Sequence, residues 1–168
     1  VCLPDTNPVI DDMSVGEFVA RRARRIGLAK VYPYGAVTKG LAGEELAEIG
    51  ILAEAGAVAF TDGTHAIADA QVMRRALSYA RTFGLLIVQH AEEPSLARGT
   101  AMNAGEVATR LGLPGVPAVA EAIMVERDLR LLELTGGRLH FAHLSTAGAI
   151  EVVRGAKARG LAVTCDTA

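Results

Sequence analysis

The feature that most constrains this chain is a rhythm of short apolar runs separated by stretches of helical periodicity. The runs are 1–3, 29–34, 57–60, 85–88, 139–144 and 161–165, evenly spaced except for one interval about twice the others. Between them, Val15, Phe18, Val19, Ala23 and Ile26 recur on one helical face, with Arg21, Arg22, Arg24 and Arg25 mostly opposite. Ser14 and Glu17 form a capping-box pattern for that helix and Gly27 ends it. A second helix is expected over 43–55, a third from the Asp69 cap to Phe83, and a last from Ser145–Thr146 to Gly160. The long interval 92–137 holds two helical patterns, 101–111 and 119–134, and no strand-like run.

Strands alternating with helices build a parallel sheet. An open nucleotide-binding sheet loses ground because neither GxGxxG nor GxxxxGK[ST] follows a strand. The expectation is therefore an α/β fold of the TIM-type (β/α)8 barrel class, as one domain over 1–168. Six strands where a closed barrel has eight make it incomplete. Both ends lie against core-type runs, which suggests a piece of a longer chain.

Composition removes several classes of function. A net charge of −2 with both signs interspersed gives no footprint for nucleic acid or an anionic membrane. Apolar runs are strand-sized, far short of the ~20 residues a spanning helix needs, and the chain opens without the charged segment of a signal peptide. Cys2 and Cys165 sit in apolar runs, as free thiols of a cytoplasmic protein do.

Chemistry in a parallel α/β barrel collects at the C-terminal ends of strands. Asp62, His90 and His143 fall there, and strand alternation places each on the face of Phe60, Val88 and Phe141 respectively. A carboxylate and two imidazoles converging from successive strands suit Zn²⁺, which lowers the pKa of bound water to near neutrality. Each has a plainer reading: a strand-end His is commonly a hydrogen-bonded structural residue, and Asp62 before Gly63 is ordinary turn chemistry. His140, of opposite parity to His143, is expected to face the surrounding helices, and His65 to be a solvated loop residue. Arg21–Arg25 and Glu126–Asp128 read as solvated helix faces. No GxSxG elbow supports a serine nucleophile.

Several motifs then resemble one family. Leu-Pro-Asp-Thr-Asn-Pro-Val-Ile-Asp (3–11) is similar to the MPNTNPxID segment of dihydroorotases, and 56–63 resembles their GAVAFTDDG. Gln-His-Ala-Glu (89–92) and Phe-Ala-His-Leu-Ser-Thr (141–146) resemble their H-x-E and HxST strand ends. Met102-Asn103, Gly105-Glu106, Leu111-Gly112-Leu113-Pro114, Ala120-Glu121 and Glu126-Arg127-Asp128 follow in the family's order. The series runs essentially end to end.

The resemblance implies a type I dihydroorotase of the amidohydrolase superfamily. Such an enzyme uses one or two zinc ions to interconvert N-carbamoyl-L-aspartate and L-dihydroorotate in pyrimidine biosynthesis. By carry-over, His90 and His143 are zinc ligands, Asp62 is the catalytic and metal-binding aspartate, and Asp5 and Asn7 contact the small-molecule substrate. A homodimer and an aspartate transcarbamoylase partner are further implications. The family's first-strand HxHxR and eighth-strand aspartate lie outside the chain, so these strands would be the second to the seventh and the piece alone inactive.

Two departures stand out: Asp5 replaces the family's asparagine, and DDG is reduced to Asp62-Gly63. An ionised Asp5 would repel a substrate carboxylate that an amide could bind. Two alternatives stay open: a non-catalytic scaffold for aspartate transcarbamoylase, which Asp5 favours and the retained His90 and His143 oppose, and a cyclic amidohydrolase of hydantoinase or allantoinase type.

Overall fold

A computed structural model describes residues 1–167 of the chain. Its elements are helix α1 (Met13–Ile26), α2 (Ile49–Glu54), α3 (Ala70–Thr82), strand β1 (Ile87–His90), α4 (Pro94–Ala97), β2 (Met102–Asn103), α5 (Glu106–Leu111), β3 (Gly115–Val116), α6 (Val119–Thr135), β4 (Leu139–Ala142), α7 (Ala147–Ala158) and β5 (Val163–Cys165). A 3-10 turn, Lys39–Leu41, follows the second apolar run. No helix among the described residues is long and apolar enough to cross a membrane.

The apolar runs do lie side by side, parallel and in chain order. Cys2 bridges Pro33, Gly35 bridges Phe60, Phe60 bridges Ile87, and β1, β4 and β5 form a continuous sheet. The first three runs make single bridges and not the ladders expected. Prolines explain part of this: Pro4 and Pro33 have no N–H to donate. Gly35 also brings the backbone against the Phe60 ring, where a Cβ would sit 2.8 Å from Cε1.

The register fixes which residues share a face. Ile87 pairs with Leu139 and Leu139 with Val163, while Val88 pairs with His140 and His140 with Thr164. Phe60, Ile87, Leu139, Phe141 and Val163 belong to the core cluster with Met73, Leu77, Met124 and Val153 of the helices. Helix α3 packs against α6, and α6 against α7. Val88, His140 and Thr164 therefore point away from the helices, which corrects the expectation for His140. Asp62, two residues after Phe60, lies beyond the bridged residue and is buried against Val37 and Thr38.

Three local expectations are also corrected. Helix α1 is capped by Asp12, whose carboxylate accepts from Ser14 N at 2.8 Å, so Ser14 lies inside the helix. The stretch 43–48 is not helical because its backbone is engaged elsewhere: Lys39 N donates to Glu45 O and Ala47 N to Val37 O. Residues 101–104 likewise pair with 114–116, through Ala101 N to Pro114 O at 2.9 Å and Ala104 N to Val116 O at 2.8 Å. That close approach needs Gly115, since a Cβ there would collide with the Ala104 backbone.

Asp128 is the largest correction on the helices. It is fully buried, accepting from Gln89 Nε2 at 2.9 Å and from Arg127 Nε at 2.8 Å. Gln89 in turn accepts from Ile67 N and donates to Ile67 O, tying β1 to the loop before α3. Burial raises the Asp128 carboxyl to about 6 against the pull of Arg127. The tripeptide Glu126-Arg127-Asp128 is thus half surface and half core, a split that helical periodicity missed.

Candidate functional site

Strand β1 delivers His90 to the lip of a cavity of about 380 Å³, lined among others by Glu92, Asn103, Glu121, His143 and Ser145. His90 Nδ1 is buried and has no hydrogen-bond partner. Burial pushes its imidazole below the usual range, which favours a neutral ring with a free lone pair. An orphaned polar atom of this kind calls for an explanation, and an ion is one.

His143 reaches the same cavity by a different route. Regular continuation of β4 would place it on the helix side with Phe141. Instead its backbone turns left-handed, with φ 61°, a conformation that costs a non-glycine residue about 1–2 kcal/mol. The turn brings its ring to within 6.1 Å of the His90 ring, centroid to centroid, at 56°. These two imidazoles are the residues of the cavity that could hold a metal ion, with the unpartnered Nδ1 of His90 as one donor atom.

Two carboxylates hold this turn in place. Asp166, just beyond β5, accepts from His143 N at 2.6 Å and faces His140 Nε2 at 3.2 Å. The His143 N–H chiefly holds the Asp166 carboxyl below the usual carboxylate range. Glu121 of α6 accepts from the backbone N–H groups of Ser145 and Thr146 at 2.8 and 2.9 Å, and from both hydroxyls. Sequence reasoning singled out neither. Glu121 appeared only within a family motif, and Asp166 follows a strand-like run without a His or Gly to mark it.

Asp62 occupies the equivalent position on its own segment but is differently employed. Only 2% of it is exposed. Its Oδ1 accepts from Val37 N and Thr38 N, both at 2.9 Å, and its Oδ2 from the Thr38 hydroxyl. Burial raises its carboxyl while these donors oppose the shift. Both oxygens therefore accept from the neighbouring segment. Among the described residues no three of His, Cys, Asp and Glu are grouped so as to hold an ion. The structure brings His90 and His143 together and leaves Asp62 apart.

Asp5 and Asn7 are exposed on the loop after Cys2. Asp5 lies over Gly63, with Cβ and Cγ 3.8 Å and Oδ2 3.9 Å from where a Gly63 Cβ would stand. The two departures from the family pattern are thus neighbours: a side chain at 63 would stand in ordinary contact with the carboxylate at 5. His65 is exposed, as expected, and borders a smaller cavity of about 240 Å³ on which His90 and Glu92 also open.

With this geometry in place, comparisons with known proteins narrow the reading. A family model described as dihydro-orotase-like matches residues 1–149. A dihydroorotase of Syntrophotalea carbinolica is 53% identical over 167 residues, 99% of this chain and 39% of that protein. One from Syntrophobacter fumaroxidans is 52% identical over 167 residues, 99% of this chain and 38% of its own length. An L-hydantoinase (dihydropyrimidinase) from Arthrobacter aurescens shares the fold, with a TM-score of 0.75 and 22% identity over 98% of this chain and 38% of that one. The chain thus spans about two-fifths of the length of the curated relatives it matches. At this level of identity along essentially its whole length, the chain belongs to the dihydro-orotase-like family.

Proposed function

We propose that the protein carrying this chain is a zinc-dependent dihydroorotase, a cyclic amide hydrolase acting on a small-molecule substrate. The reaction is N-carbamoyl-L-aspartate closing to L-dihydroorotate with release of water, and its reverse. The observation that carries this reading is the partnerless, buried Nδ1 of His90 beside His143, in a chain of this family. The six parallel segments are read as consecutive strands of a (β/α)8 barrel, the second to the seventh, since each pairs with the next in chain order.

In this reading His90 and His143 hold zinc, which when bound supplies a water acidified to near neutrality. Asp62 holds the segment after the second run through Val37 and Thr38, apart from the two imidazoles. Glu121 and Asp166 hold the 143–146 turn, and with it the backbone that carries His143. Asp5 and Asn7 form the exposed rim from which substrate is met, and the Asp5 charge makes that rim unlike the family's.

The test is metal analysis of the full-length protein as isolated, followed by turnover of dihydroorotate, hydantoin and allantoin. Zinc in the protein and preferential turnover of dihydroorotate are expected. A metal-free, inactive protein defeats the proposal, and preference for hydantoin or allantoin defeats its substrate half.

A further inference from the structure

From the contacts of Asp166 we infer that it is the positioning residue that sets His143 in its metal-receiving orientation, with His140 and Thr164 as its brace. The inference rests on the reading of His143 as a metal-holding residue and adds how that residue is placed.

Three backbone or side-chain bonds join Asp166 to the turn at the end of β4. Its carboxylate accepts from His143 N at 2.6 Å, its N–H donates to Phe141 O at 3.1 Å, and its C=O accepts from Leu144 N at 2.9 Å. These bracket the one residue of the turn whose φ is positive. A left-handed non-glycine backbone persists only where its surroundings over-determine it; Asp166 makes the bonds at His143 itself, while Glu121 holds the two residues 145 and 146 beyond it.

The carboxylate is itself held. A carboxylate only accepts, so His140 Nε2 must carry the proton it presents to Asp166 Oδ2 at 3.2 Å. His140 Nδ1 is then free to accept from the Thr164 hydroxyl at 2.8 Å. Thr164 and His140 are register partners on adjacent strands, and both point away from the helices. The chain Thr164–His140–Asp166–His143 therefore runs across the sheet surface from β5 to the cavity, and gives His140 a role that strand parity did not suggest.

The experiment compares cobalt-substituted full-length proteins: the unaltered protein, Asp166→Ala, Asp166→Asn and Thr164→Val. Metal affinity and the visible Co²⁺ spectrum are read, with folding checked by circular dichroism. Asp166→Ala is expected to weaken Co²⁺ binding by about tenfold or more and to change the spectrum, the range seen when an outer partner of a ligand is lost. Asp166→Asn, which keeps an acceptor for the His143 N–H, should lose less, and Thr164→Val least. If Asp166→Ala does not fold, the isosteric Asp166→Asn replaces it, with a several-fold loss and a shifted spectrum still expected. A folded Asp166 variant with affinity within twofold of the unaltered protein and the same spectrum overturns the inference while leaving the metal reading intact. An unaltered protein that binds no cobalt overturns both.

Discussion

Two adjacent strand ends of this molecule carry the residues most suggestive of chemistry, and they use them in opposite ways. At the end of the third run, Asp62 is buried with both oxygens accepting from Val37 and Thr38. At the end of β1, His90 is partly buried with Nδ1 accepting nothing and donating to nothing, next to a cavity and a second imidazole. The first is a polar group completed by the fold, the second one the fold leaves incomplete. A candidate site is therefore marked less by which residue stands at a strand end than by whether its hydrogen-bonding capacity is already spent.

Substitutions can break this contrast. The largest effect is expected at His90: His90→Ala should abolish turnover of dihydroorotate by the full-length protein, while unfolding stability changes by less than about 1 kcal/mol, since no partner is orphaned. Asp62→Ala should do the reverse, leaving two backbone N–H groups and a hydroxyl without their acceptor. A loss of about 3 kcal/mol or more in urea unfolding is expected, and a loss under 1 kcal/mol would show that the carboxylate is not the anchor its contacts imply.

A third effect concerns Asp128, whose carboxyl is raised by burial to about 6. A carboxyl with a folded pKa above its unfolded value near 3.8 holds its proton longer in the folded state. Stability from this group is thus greatest at low pH and declines as pH rises from about 4 to about 6, by on the order of 2–3 kcal/mol. Asp128→Asn should flatten that part of the stability profile, and an unchanged slope would contradict the assignment. The smallest effect is at Gly63, with φ 68°: Gly63→Ala should cost about 1 kcal/mol, from backbone strain more than from its ordinary 3.8 Å contact with Asp5.

Much of this was legible in the residues. The apolar runs located the six parallel segments, and Asp69 caps α3 as its position before the helix suggests. His90 and His143 were recognisable from strand-end placement. What stayed hidden depended on register and on non-local bonds. Alternation along one strand cannot say which face meets the helices until strands pair, so His140 was assigned to the wrong side. His143 reaches the cavity only because one left-handed residue breaks the alternation, held by an acceptor 23 residues later. The pairing of 101–104 with 114–116 joins segments too short to show strand periodicity, one of them opening on proline and glycine.

The central claim, that the imidazoles hold the metal and Asp62 holds the fold, is tested most directly by metal content. Full-length protein carrying Asp62→Asn, which keeps one oxygen for the Val37 and Thr38 N–H groups, is compared with His90→Ala by elemental analysis after purification with zinc. The account predicts zinc retained in the folded Asp62→Asn protein and lost from His90→Ala. Zinc lost from a folded Asp62→Asn protein, or kept in full by His90→Ala, would contradict it.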